Sequence, residues 1–122
     1  MATSNYYVSL TLGISRLTVP FDSSLLDGLY AHLRLLQEGG VLGGFYITGH
    51  RASRILRVTV VVEAVRITAA GHRAEIVLRE AATGLIDPAA LTIERLAVQP
   101  AKRGSRVDTT DVVQLNGCGI DR

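Results

Sequence analysis

The chain has no tryptophan, and its four tyrosines and two phenylalanines make up 5% of 122 residues. A core with so few rings must be filled by Leu, Val, Ile and Ala. Cys118 is the only cysteine, which excludes an intrachain disulfide framework and a thiolate metal site within one chain. Lysine is nearly absent too: Lys102 stands alone against twelve arginines. The bland cause is codon bias in a GC-rich genome, because Ala, Val and Gly are also abundant. A formal charge of +2 is too small to argue for nucleic acid by itself. Long apolar runs are missing as well. The longest, Val58–Val65, is broken by Thr59 and Glu63 and is far too short to span a bilayer. The opening Met-Ala-Thr-Ser-Asn lacks a basic segment followed by an apolar one, so no signal peptide is expected. The expectation is a cytoplasmic protein with no membrane partner.

What is present is a 48% apolar fraction, enough for one domain with one core. Tyr6, Val8, Leu10, Leu12 and Ile14 alternate with Tyr7, Ser9, Thr11 and Gly13, the period of a strand with one buried face. After Pro20 the period becomes helical. Asp22 is placed to cap, Phe21 to pack on Leu26, and Leu25, Leu26, Leu29, Tyr30, Leu33 and Leu36 form the inner stripe. Gly28 sits inside this helix at a cost of about 1 kcal/mol, and Gly39-Gly40 end it. A second strand is expected over Val41–His50 and a third over Ile55–Ala64, joined by a hairpin carrying Arg51 and Arg54.

From Thr68 to Gly84 the pattern predicts a helix capped by Thr68, with Ala70, Ala74, Val77, Leu78 and Ala81 inward. The alternative is a more strand-rich fold with residues 65–80 as a hairpin. Asp87-Pro88 opens the next element, and Leu91–Val98 is the last strand expected. Residues 1–98 thus form a single α+β domain, and 99–122 a polar C-terminal tail to which a short edge strand can belong. The order β-α-β, β-α-β gives the ferredoxin-like βαββαβ sandwich, a four-stranded antiparallel sheet with two helices on one face. A strand ending Val62-Glu63-Ala64, an Ala-rich amphipathic helix, and Gly84-Leu-Ile-Asp-Pro88 leading to Leu91-Thr-Ile-Glu-Arg95 together resemble small ferredoxin-like proteins of actinobacteria and their phages. The resemblance covers residues 6–98. It implies the fold and an accessory role, and carries no residue-specific site.

Signals for ordinary site chemistry are weak. Gly39, Gly40, Gly43 and Gly44 lack the Lys-Ser/Thr of a phosphate loop and run from helix into strand, the reverse of that motif. His32, His50 and His72 show no metal-ligand spacing, and His32 and His72 are expected on solvated helix faces. No nucleophile elbow or local Cys–His pattern exists, and Cys118 reads as a free thiol in the tail. Glu63 is the only carboxylate expected on a strand's open face. No catalytic residue, metal or cofactor is assigned.

What remains is the sheet face turned away from the helices. It is expected to present Tyr7, Ser9, Thr11, Tyr46, Thr48, His50, Arg57 and Thr59, with Arg51 and Arg54 at its rim. Tyrosine and arginine are favoured anchors at protein interfaces, so the leading reading is a non-catalytic interaction or regulatory module acting as a homodimer. One alternative is single-stranded nucleic-acid binding, with Tyr7 and Tyr46 stacking bases and Arg51, Arg54 and Arg57 on phosphates. Another is a small cofactor-independent dimeric α+β-barrel enzyme, with His50 and Tyr46 as its polar groups.

Overall fold

A computed structural model describes residues 3–15 and 21–101, together with the backbone of 118–121. Strand β1 (Ser4–Ile14) leads into helix α1 (Ser23–Glu38), strands β2 (Gly44–His50) and β3 (Ile55–Ala64), and helix α2 (Ile67–Ala82). A 3-10 turn (Pro88–Ala90) then leads into β4 (Leu91–Pro100), and β5 (Cys118–Asp121) follows. The sheet order is β4-β1-β3-β2-β5. Its first four strands are all antiparallel, and with two helices this is a ferredoxin-like α+β fold. β5 joins β2 in parallel, Ile47 opposite Cys118 and His50 opposite Asp121.

The alternation in β1 is realised as expected. Val8, Leu10, Leu12 and Ile14 are at most 2% exposed and face both helices, with Phe45, Ile47, Leu56, Val58 and Val60 alongside. No polar or charged residue is buried among the described residues. Asp22 caps α1, its Oδ1 accepting from the backbone N–H of Ser24 at 3.0 Å and of Leu25 at 3.3 Å. Gly28 has a packing role that offsets its poor helix propensity. A Cβ there would lie 2.9 Å from Leu85 Cδ2, so a larger residue would push the half-buried Leu85 side chain aside where the segment after α2 meets α1.

Residues 67–82 form a helix, and the hairpin alternative gives way. Its inner face is the expected one, Ala70, Ala74, Val77, Leu78 and Ala81. Its start differs. The cap position is Arg66, with no side-chain cap, and Thr68 lies inside the first turn. β2 begins at Gly44, three residues later than Val41, because Val41 N–H returns to the Leu36 carbonyl to finish α1. His32 also departs from expectation. It is half-buried, and its Nδ1 lies 2.6 Å from the Ala81 carbonyl oxygen. The last carbonyls of a helix lack intrahelical donors, and His32 serves one of them across the helix pair.

β4 holds the main surprise. Its apolar residues fall at Leu91, Ile93, Leu96 and Val98, a spacing of two, three, two. Leu12 pairs with Ile93 whereas Thr11 pairs with Arg95, so Glu94 is the extra residue of a β-bulge. The bulge restores the phase and keeps Ile93 and Val98 packed on the core.

Residues 102–117 of the expected polar tail lie outside the described residues, as does the Cys118 side chain. Among the described residues no helix is long and apolar enough to cross a membrane.

Candidate functional site

Strand register arranges the open face as rows. Gly44, Val61, Tyr7 and Gln99 make one, and Tyr46, Thr59, Ser9 and Ala97 the next. Thr48, Arg57, Thr11 and Arg95 make the third, and His50, Ile55, Gly13 and Thr92 the fourth. The sheet therefore brings together Tyr7, Ser9, Thr11, Tyr46, Thr48, His50, Arg57 and Thr59 on one surface. The Ser9 and Thr59 hydroxyls meet at 3.1 Å near its centre. Val61 is only 7% exposed although it faces away from the helices, while Tyr46 stands 39% exposed.

Two charged residues missed in the sequence belong to this face. The bulge turns both Glu94 and Arg95 toward it, and the Glu94 carboxylate lies over Gly13. Glu63 is thus not its only carboxylate. The two-three-two spacing in β4 is the signal that could have found both, since an extra residue inside an alternating strand demands a bulge.

The arginines at the rim part company. Arg51 is exposed in the turn between β2 and β3. Arg54 takes φ 55°, unusual for a residue with a Cβ, and turns back onto the chain. Its Nε donates to the Ile14 carbonyl at 3.0 Å, and its guanidinium sits 5.7 Å from the centre of the Phe21 ring. The backbone closes the same link, Ile14 N–H to the Arg54 carbonyl at 3.0 Å. Arg54 latches the end of β1 to the hairpin.

Two of the depressions on the described surface are lined by polar side chains. One, of about 330 Å³, lies where β2 turns into β3 and is lined by Thr48, Gly49, His50, Ser53, Ile55 and Arg57. His50 Nδ1 and Ser53 Oγ are 2.8 Å apart there. The other, of about 360 Å³, lies on the outside of α1 between Tyr30, Arg34, Gln37 and Glu38. Its charges are already engaged: Arg34 pairs with Glu38 at 3.4 Å. The Tyr30 hydroxyl first, and Glu38 after it, raise the pKa of that guanidinium above its ordinary value. No group of three or more His, Cys, Asp or Glu among the described residues is placed to hold a metal ion.

The chain matches no protein-family model and no curated protein sequence. No activity is carried over from a relative, and function has to be argued from this surface.

Proposed function

We propose that the chain is a non-catalytic interaction module of accessory or regulatory kind that forms a homodimer through the open face of its sheet. The observation that carries this reading is the distribution of charge. The two rows from Gly44 to Gln99 and from Tyr46 to Ala97 hold two tyrosines, a valine and two hydroxyls, and no charge. Charged residues of both signs, Arg57, Arg95, Glu94 and Glu63, surround them. A charge-depleted centre with aromatic anchors and a mixed polar rim is the anatomy of a protein interface. A second copy suits it because the rim supplies both signs to itself.

The same distribution weighs against a polyanion. Arg57 and Arg95 are offset by Glu63 and Glu94, and Arg54 is committed to Ile14 and Phe21. A nucleic-acid surface needs a net positive field. A catalytic cavity between sheet and helices finds little support either, since the buried residues there are apolar.

Size sets the expected strength. About sixteen face positions at ~33 Å² each give roughly 500 Å² of flat area. That is the low end for one side of a specific interface, so the dimer constant is expected in the micromolar range. Sedimentation velocity of the full chain over a concentration series tests it. A reversible monomer–dimer shift that weakens at least tenfold in Tyr46→Glu is expected, with the far-UV spectrum unchanged. A chain that stays monomeric to about 500 μM would overturn the reading. Saturable binding of an oligonucleotide by a monomeric chain at low salt would replace it.

A further inference from the structure

The end of the open face where β2 turns into β3 is concave, and its lining has a chemistry beyond the rim charge that the dimer reading takes from Arg57. Four polar side chains from one hairpin converge there: Thr48, His50, Ser53 and Arg57. The hairpin brings their backbones together. Thr48 and Arg57 are cross-strand partners. The left-handed Arg54 turns the chain so that Ser53 comes back beside the strand end. The Ser53 hydroxyl reaches the His50 carbonyl at 3.5 Å and lies 2.8 Å from His50 Nδ1, so the ring is oriented through Nδ1 and Nε2 is its remaining polar atom.

We propose that this depression binds a small organic oxyanion, a carboxylate or phosphate monoester on a short apolar body. Arg57 is a permanent cation with no carboxylate partner among the described residues, whereas Arg34 and Arg79 each have one. Two hydroxyls and an imidazole surround it, and no acidic side chain is among the described lining residues. A guanidinium with the Thr48 hydroxyl as a convergent donor is an oxyanion site by its chemistry, while the Ser53 hydroxyl is engaged with His50. Ile55, part-exposed on the floor, supplies the apolar contact. A volume of about 330 Å³, at the small end for a ligand pocket, suits an anionic group on a body about the size of one ring. The Glu94 carboxylate, over Gly13 next to Ile55, bounds the site and repels a second anionic group at the far end.

The test is an amide-shift titration of the full chain, at constant ionic strength, with inorganic phosphate, phenyl phosphate and benzoate. Saturable shifts confined to residues 48–57 are expected, with phenyl phosphate or benzoate binding more tightly than inorganic phosphate. Arg57→Gln, at an exposed position that leaves the fold intact, should weaken binding about tenfold or more, the loss expected of one charge-assisted hydrogen bond. His50→Gln should weaken it less. No saturable shift below about 20 mM in any of the three, or equal shifts in Arg57→Gln, would overturn the proposal. All the groups come from one chain, so the site does not depend on the dimer. Diffusion measured in the same samples tells failure of one from failure of the other.

Discussion

Deleting Glu94 should cost far more than replacing it. The deletion removes the bulge, and one flank of β4 must then slide by a residue against β1, turning its apolar side chains to the wrong face. If the Leu91–Ile93 flank slides, Leu91, now 8% exposed, and the half-buried Ile93 leave Ile14 and Leu12. If the other flank slides, Leu96 and Val98 leave Leu10 and Val8 and withdraw from α2 at Gly71. Full burial of such a side chain is worth about 1.5–3 kcal/mol, and those on the second flank are only partly covered. The loss is therefore about 2–5 kcal/mol, a large part of the stability of an ordinary small domain. Glu94→Ala keeps the extra residue and exposes nothing, so it should stay within about 0.5 kcal/mol of the parent. Urea unfolding of the three proteins, followed by far-UV circular dichroism, measures both differences. Equal stability of the deletion and the alanine variant would refute the idea that the bulge holds the strand in phase.

Three further expectations concern local packing and links. Gly49→Ala should destabilise by about 1–3 kcal/mol, because a Cβ there meets the buried Phe21 at 3.2 Å and Leu26 at 3.3 Å; thermal unfolding reads this directly. Asp22→Ala removes the α1 cap and should cost about 1 kcal/mol, checked by chemical unfolding against Asp22→Ser, which keeps an acceptor. Arg54→Ala should cost about 1–3 kcal/mol through the lost bond to Ile14 and leave Arg51→Ala, in the same turn, near neutral. Similar effects of the two arginine changes would show that Arg54 is no latch.

Much of this architecture was legible in the residues. β1 alternates throughout and β3 does so apart from Val61, and α1 carries its leucines at helical spacing between a capping aspartate and a glycine pair. Alanines at 70, 74 and 81 were enough to favour a helix over a hairpin. The face bearing Tyr7, Tyr46, Thr59 and Arg57 followed from period two alone. What escaped depends on contacts between distant parts of the chain. His32 bonds an α2 carbonyl, and nothing near it in sequence marks that partner. Arg54 looked like a free rim cation because the Ile14 carbonyl lies forty residues before it. Arg95 and Glu94 were missed because the last strand was read without assigning its two faces, although the spacing of Leu91, Ile93, Leu96 and Val98 marks the extra residue. The depression at the hairpin end needs three-dimensional curvature, which no residue pattern encodes.

The interior position of β1, between β4 and β3, has a consequence for how the protein is made. This strand is synthesised before both of its neighbours, so Val8 must wait for Val60 on one side and for Val98 on the other. On the ribosome its apolar face and one of its edges therefore stay open until nearly the whole domain has emerged. Folding of such an interleaved sheet is governed by distant pairings, which makes it slower than that of a helical chain of equal length. The interval before β4 arrives is when the nascent chain is most exposed to mispairing and to capture by chaperones.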